Sequence, residues 1–203
     1  QSDTHGQLVT ETDALGRTTA YGYDAFGNTT VITDATGAIT HNRYDDVGRP
    51  VTTLDQAQNE TTYIYDAADR LLSVTDPAKG TTTYTYSPEG RDNLIALTNA
   101  NGVTTTYTYD VLDRLITETN SLGASTAYDY DNANRLVART DATGRTTRYT
   151  YDAKSRMRCA ESYEADTETP YRVNTYRYDG AGNLIAMANE DVRLAYTYDG
   201  IDQ

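Results

Sequence analysis

A tyrosine-aspartate pair returns along this chain at a nearly fixed interval. The second tyrosine of a Tyr-x-Tyr-Asp motif stands at Tyr23, Tyr44, Tyr65, Tyr86, Tyr109, Tyr130, Tyr151, Tyr178 and Tyr198, with successive spacings of 21, 21, 21, 23, 21, 21, 27 and 20 residues. A period of about 20 to 50 residues marks an array of one supersecondary unit, each copy unable to bury its apolar surface without its neighbours. The shape of the array is therefore where function has to be sought.

Composition points to a thin array. Of 203 residues 37% are hydrophobic, and the mean hydropathy is −0.69. Such a chain fits a thin sheet better than a two-layer domain with a thick interior. Nineteen tyrosines against the single Phe26 suit a surface where each ring is partly covered and its hydroxyl stays wet.

The net charge of −13 comes from 22 Asp and 8 Glu against 15 Arg plus Lys79 and Lys154. Many of these aspartates recur at turn positions. The acidic balance argues against nucleic acid and against an anionic membrane as partners. No apolar run approaches the roughly 18 residues of a membrane-spanning helix, and the sequence from Gln1 does not read as a signal peptide. Cys159, the only cysteine, can form no internal disulfide.

One repeat shows the unit. Thr61-Thr62-Tyr63-Ile64-Tyr65 and Leu71-Leu72-Ser73-Val74-Thr75 are strand-like runs, separated by Asp66-Ala67-Ala68-Asp69-Arg70 and followed by Asp76-Pro77-Ala78-Lys79-Gly80. Alternation places Thr61, Tyr63 and Tyr65 on one face and Thr62 and Ile64 on the other. Gly27, Gly48, Asp69, Asp113, Asn134 and Gly182 share one position in the first turn, where a left-handed backbone is expected. The second turn carries Gly16, Gly37, Gly80, Gly102, Gly123 and Gly144, preceded by Asp or Asn at 13, 34, 76, 99, 120 and 141.

Turn signals about every 10 residues, with no helical periodicity between them, predict an all-β chain with almost no helix. About nine hairpins give about 18 strands in one antiparallel sheet, long enough that it should curl around a hollow. Residues 1–203 then form one repeat segment that begins and stops inside a repeat, as a piece of a longer protein would. Lengthened stretches at 87–93 and 161–175 interrupt the period and are expected as loops.

The motif residues are Tyr21, Tyr23 and Asp24; Tyr44 and Asp45; Tyr63, Tyr65 and Asp66; Tyr84 and Tyr86; Tyr107, Tyr109 and Asp110; Tyr128, Tyr130 and Asp131; Tyr149, Tyr151 and Asp152; Tyr176, Tyr178 and Asp179; and Tyr196, Tyr198 and Asp199. Their tyrosines are expected to stack as ladders. Their aspartates are expected to accept turn N–H groups and to pair with the arginine four residues on, as at Arg49, Arg70, Arg114, Arg135 and Arg156. These are structural roles. His5 and His41 lack metal-ligand spacing, so no metal, cofactor or catalytic site is expected. A private contact site would be sought at Tyr163, Glu164, Asp166, Pro170 and Tyr171, since insertions in repeat arrays often carry added function.

The pattern Tyr107-Thr108-Tyr109-Asp110-Val111-Leu112-Asp113-Arg114-Leu115 and its copies resemble the Rhs/YD-repeat family over essentially the entire chain. The resemblance implies a β-sheet cocoon from an exported bacterial protein, non-enzymatic in itself, that encloses a C-terminal toxin or cargo domain. Its implied partners are the rest of the parent shell, that cargo and a component of a secretion apparatus. Asp76-Pro77 sits in an ordinary repeat turn and carries no self-cleavage chemistry. The alternative function is an extracellular or cell-wall adhesion module that binds glycans through rows of tyrosine. In either case open sheet edges should make the isolated segment self-associate.

Overall fold

The computed structural model describes residues 1–88 and 90–198, and those residues are all-β, with eighteen strands and no helix. The chain divides into two compact units, residues 1–104 and 105–203. The first contains β1 (Thr10–Thr12), β2 (Thr18–Tyr23), β3 (Thr29–Thr33), β4 (Ile39–Tyr44), β5 (Pro50–Leu54), β6 (Glu60–Tyr65), β7 (Leu71–Thr75), β8 (Thr81–Tyr86) and β9 (Leu94–Thr98). Each pairs antiparallel with the next.

The second unit repeats the arrangement with β10 (Thr104–Tyr109), β11 (Leu115–Asn120), β12 (Ser125–Tyr130), β13 (Leu136–Thr140), β14 (Thr146–Tyr151), β15 (Met157–Tyr163), β16 (Arg172–Tyr178), β17 (Leu184–Ala188) and β18 (Arg193–Ala195). Again every strand pairs antiparallel with its successor.

Both edges of the array are made by one kind of turn. The Asp45 N–H donates to the Arg49 carbonyl at 2.9 Å, and the Gly48 N–H donates to the Asp45 carbonyl at 3.0 Å. The fourth residue of the turn takes the left-handed backbone: φ is 85° at Gly48, 64° at Asp69, 60° at Asp113 and 61° at Asn134. This is the short hairpin loop in which a left-handed residue closes a bulge. A separate bulge lies beside the turn at one edge only: Tyr65 faces Leu71 and Ile64 faces Ser73, so Leu72 has no partner, whereas the like turn after β7 leaves the register unbroken from Thr75 opposite Thr81 to Ser73 opposite Thr83.

The same shift stands just before the second tyrosine of eight hairpins. It interrupts the simple alternation expected from the sequence. It also accounts for two apolar residues in succession at Leu71-Leu72, Leu94-Ile95 and Leu115-Ile116, because two residues of the bulged strand oppose one of its partner.

At two turns of the opposite edge the left-handed residue is not a glycine. Lys79, not Gly80, holds the left-handed position, with φ 70°, and Gln58 holds it in the preceding second-edge turn with φ 65°. The position is set by counting three residues from the capping Asp76 or Asp55, not by where a glycine stands. Gly80 is small for another reason: a Cβ there would lie 2.8 Å from the Asp76 carboxylate and 2.8 Å from the Ala100 Cβ.

No described side chain is fully buried, and only Ala160, Tyr163 and Thr126 fall below a tenth exposed. The motif tyrosines of both units are therefore half-covered surface groups rather than members of a core. With so little area buried, turn geometry and strand-to-strand bonds have to carry the fold.

Gly102 has φ 78° and nothing within 4 Å of a Cβ, so Gly102→Ala should cost about 1 kcal/mol of backbone strain alone. Gln58→Gly should incur none of that loss. Urea unfolding midpoints of the two variants against the parent chain check the difference.

Candidate functional site

The turn aspartate is filled from two sides. At Asp45, Oδ1 accepts the N–H groups of Val47 at 3.1 Å and Arg49 at 2.9 Å, while Oδ2 accepts Arg49 Nε at 2.7 Å and Nη2 at 2.7 Å. Asp66 with Arg70, Asp110 with Arg114, Asp131 with Arg135 and Asp152 with Arg156 repeat this arrangement, each with Nε on Oδ2 at 2.7 Å. The carboxylate thus holds its own turn closed and fixes the plane of the guanidinium.

The arginine's remaining arm reaches the next repeat. Arg49 Nη1 donates to the Asp66 carbonyl at 3.0 Å and to Asp69 Oδ1 at 2.7 Å. Arg114 reaches the Asp131 carbonyl at 3.1 Å and Asn134 Oδ1 at 3.0 Å, and Arg156 reaches the Asp179 carbonyl at 3.0 Å. Each guanidinium also lies over the second tyrosine of the next repeat: Arg49 over Tyr65, Arg70 over Tyr86, Arg114 over Tyr130, Arg135 over Tyr151 and Arg156 over Tyr178, at 4.7–4.9 Å from the ring centre.

The tyrosine completes the link. Its hydroxyl donates to the carbonyl of the residue after the arginine, Tyr65 to Pro50 at 2.9 Å, Tyr86 to Leu71 at 3.0 Å, Tyr130 to Leu115 at 3.0 Å and Tyr151 to Leu136 at 2.7 Å. Aspartate, arginine and tyrosine therefore form a staple from one turn to the next. The ring contacts of Tyr65, Tyr86, Tyr130, Tyr151 and Tyr178 are with arginine, where the sequence suggested tyrosine on tyrosine. The missed signal is a recurrent distance: in four of the five pairs arginine precedes its tyrosine by 16 residues, as from Arg49 to Tyr65 and from Arg114 to Tyr130, and the lengthened segment stretches Arg156 to Tyr178 to 22.

The first tyrosines, Tyr21, Tyr63, Tyr84, Tyr107, Tyr128, Tyr149 and Tyr176, are half-buried along their strands, and Tyr196 is exposed. Tyr21 donates to Glu11 Oε1 at 2.6 Å. In the second repeat Asn42 stands where the others have tyrosine. Tyr23, Tyr44 and Tyr198 still reach back through their hydroxyls to a backbone carbonyl of the preceding repeat, at Leu8, Thr29 and Leu184. Asp24 and Asp179 cap their turns with Asn28 and Asn183 in place of arginine. Tyr109 lies at the end of β10, and Asp199 lies outside the described residues.

The ionisation of these groups follows from their partners. The arginine side chain first, with turn N–H groups, holds Asp110, Asp131 and Asp152 below the usual carboxylate range. At Asp45 and Asp66 the backbone N–H of Arg49 and Arg70 is the leading cause of the same shift. Partial burial pushes the Tyr65, Tyr86 and Tyr151 phenols up.

The opposite edge uses hydroxyls. Paired threonines six residues apart close it, Thr12 with Thr18 at 2.9 Å, Thr75 with Thr81 at 3.0 Å, Thr98 with Thr104 at 2.8 Å and Thr140 with Thr146 at 2.9 Å. Thr119 with Ser125 at 3.0 Å is the serine version. The sequence contained this signal as a Thr at the end of one strand and another at the start of the next.

The lengthened segment at 161–175 is strand at both ends, since β15 runs to Tyr163 and β16 starts at Arg172. Tyr163 is 7% exposed, takes Arg148 over its ring at 4.8 Å and donates to Glu161 Oε2 at 2.7 Å. It braces the hairpin and is not available as a contact. Glu164 pairs with Arg145 at 2.8 Å, Asp166 takes a left-handed backbone with φ 58°, and Pro170 is half-buried. Tyr171 alone of the two loop tyrosines is open, at 52%. Cys159, opposite Thr150 and Thr175, is partly buried, which pushes its thiol up and away from reactivity.

The model of the RHS Repeat family matches residues 3–39, 44–81, 65–91, 90–125, 110–145 and 130–169. A search of curated proteins found no match. Among solved structures, TcdB2-TccC3 without its hypervariable C-terminal region has 18% identity and a TM-score of 0.74 over 93% of this chain and 12% of that one. The crystal structure of TcdB2-TccC3 gives 16%, 0.70, 98% and 15%. The Photorhabdus luminescens Tc holotoxin pore gives 18%, 0.67, 91% and 12%. This chain thus spans 12 to 15% of those chains, and at such identities the likeness is one of fold.

If the guanidinium-ring contact is energetic, Arg114→Ala and Tyr130→Leu should be non-additive in a double-mutant cycle, with a coupling of about 0.5–1 kcal/mol. A coupling near zero in urea unfolding would reduce the contact to proximity. Because the turn carboxylates titrate lower folded than unfolded, their contribution is complete above the unfolded value of about 3.9 and disappears as pH falls through the folded values. Thermal midpoints should therefore hold from pH 7 to about 5 and decline steeply below about 4, with a smaller acid decline in Arg114→Ala.

Proposed function

Because the chain belongs to the RHS repeat family, we propose that it is a non-catalytic wall segment of an exported bacterial shell protein that encloses a C-terminal toxin or cargo domain. The observation that carries this reading is the staple. At five turns it links a repeat to its neighbour alone, so repeats can be added without a shared core, and a sheet one layer thick covers much area with little chain. A wall needs those two properties, whereas a catalytic domain needs a pocket of convergent groups. The neighbouring TcdB2-TccC3 fold, of which one structure was solved without a hypervariable C-terminal region, supports the part of the proposal that concerns a C-terminal domain.

Limited proteolysis of the full-length parent with intact-mass analysis tests it. A C-terminal fragment should resist protease while the repeat wall is intact and should be digested once mild denaturant opens the wall. A parent that yields no protected fragment would sink enclosure and favour adhesion. The exposed Tyr171, beside Arg172, Asn189 and Glu190 in a recess of about 130 Å³, would then be the first place to look for glycan contact.

A further inference from the structure

Successive hairpins meet at joints, where the second strand of one pairs with the first strand of the next. Two devices reinforce a joint: the arginine staple on one edge and the hydroxyl pair on the other. The β7/β8, β11/β12 and β13/β14 joints have both, through Arg70, Arg114 and Arg135 and through Thr75 with Thr81, Thr119 with Ser125, and Thr140 with Thr146. The β5/β6 and β15/β16 joints have the staple, from Arg49 and Arg156, and β1/β2 has the pair of Thr12 and Thr18.

The β3/β4 joint has neither. Asn28 stands where the arginine should be, and its side-chain amide turns back to Asp24 Oδ2 of its own turn at 2.9 Å. Across the opposite edge Thr33 faces Ile39, which has no hydroxyl. Besides the strand ladder, what spans the joint is Tyr44 and Asn42, both donating to the single Thr29 carbonyl, at 2.8 and 3.2 Å. Among the described joints inside the first unit, this one alone lacks both reinforcements; in the second unit β17/β18 shares the lack, with Asn183 in place of the arginine and Ala188 facing Arg193.

We propose that β3/β4 is the line along which the first unit opens, so that β1–β3 part as a block from β4–β9 before either block loses its internal hairpins. Cooperative opening of contiguous segments is expected wherever nearest-neighbour coupling is uneven. The inference goes beyond the shell reading and is independent of any cargo, since it follows from the repeat geometry alone.

Native-state hydrogen exchange on the 203-residue chain, at rising sub-denaturing urea, decides it. Amides that bond β3 to β4 should exchange roughly tenfold faster than those that bond β7 to β8, the scale expected for one lost cation–π contact and one charge-assisted hydrogen bond. They should also exchange faster than the β2–β3 amides, which excludes simple fraying from the chain end, because fraying would leave the outermost strands least protected. Asn28→Arg combined with Ile39→Thr should remove most of the difference. Arg70→Asn with Thr81→Ile should create a second opening line at β7/β8. Equal protection of the β3–β4 and β7–β8 amides in the parent chain overturns the proposal, as does a graded profile that weakens steadily toward β1. A gap that survives the Asn28→Arg and Ile39→Thr changes overturns it too.

Discussion

The carboxylate of the turn aspartate carries more of this structure than any apolar contact. One oxygen closes the hairpin by accepting two backbone N–H groups, as Asp66 does from Ala68 and Arg70, and the other orients the guanidinium that reaches the following repeat. In a sheet without a second layer no described side chain is fully hidden, so hydrophobic burial cannot supply the cooperativity that a compact domain draws from its core. The aspartate substitutes for it by coupling a local event, closing a turn, to a neighbour event, seating the next tyrosine.

This division explains what could be read from the sequence and what could not. Hairpins, their number and the left-handed positions at Gly48, Asp69 and Asn134 follow from local turn chemistry, which a single sequence displays directly. The positions of Lys79 and Gln58 carry no glycine to mark them, and the capping aspartate sets the count. The arginine-tyrosine contact was hidden for a different reason: its partners lie one repeat apart and become neighbours only through strand pairing. Tyr163 likewise reads as a loop aromatic in the sequence, because only the length of β15 brings it under Arg148.

Nearest-neighbour construction also makes sequence variation local in its effect. A compact core punishes substitution wherever it is packed, but here replacing arginine by Asn28 loosens one joint and leaves Arg49 and Arg70 seated on Tyr65 and Tyr86. The array can therefore hold a gradient of local stabilities along one chain, written by single residues at fixed repeat positions. A wall made this way can be strong as a whole and still have a defined place to part.

The same geometry accounts for the near-absence of phenylalanine. The bulge after each first-edge turn ends the regular ladder early: β7 pairs with β8 only as far as Ser73 opposite Thr83, and the Leu71 carbonyl lies beyond it. A backbone carbonyl left without a partner in a half-covered setting is costly. The Tyr86 hydroxyl takes it up at 3.0 Å, and Tyr65, Tyr130 and Tyr151 do the same for Pro50, Leu115 and Leu136. Phenylalanine would offer the guanidinium the same ring face and abandon the carbonyl. The bulge thus requires tyrosine, the tyrosine ring gives the arginine its platform, and the arginine is held in place by the aspartate that made the bulged turn.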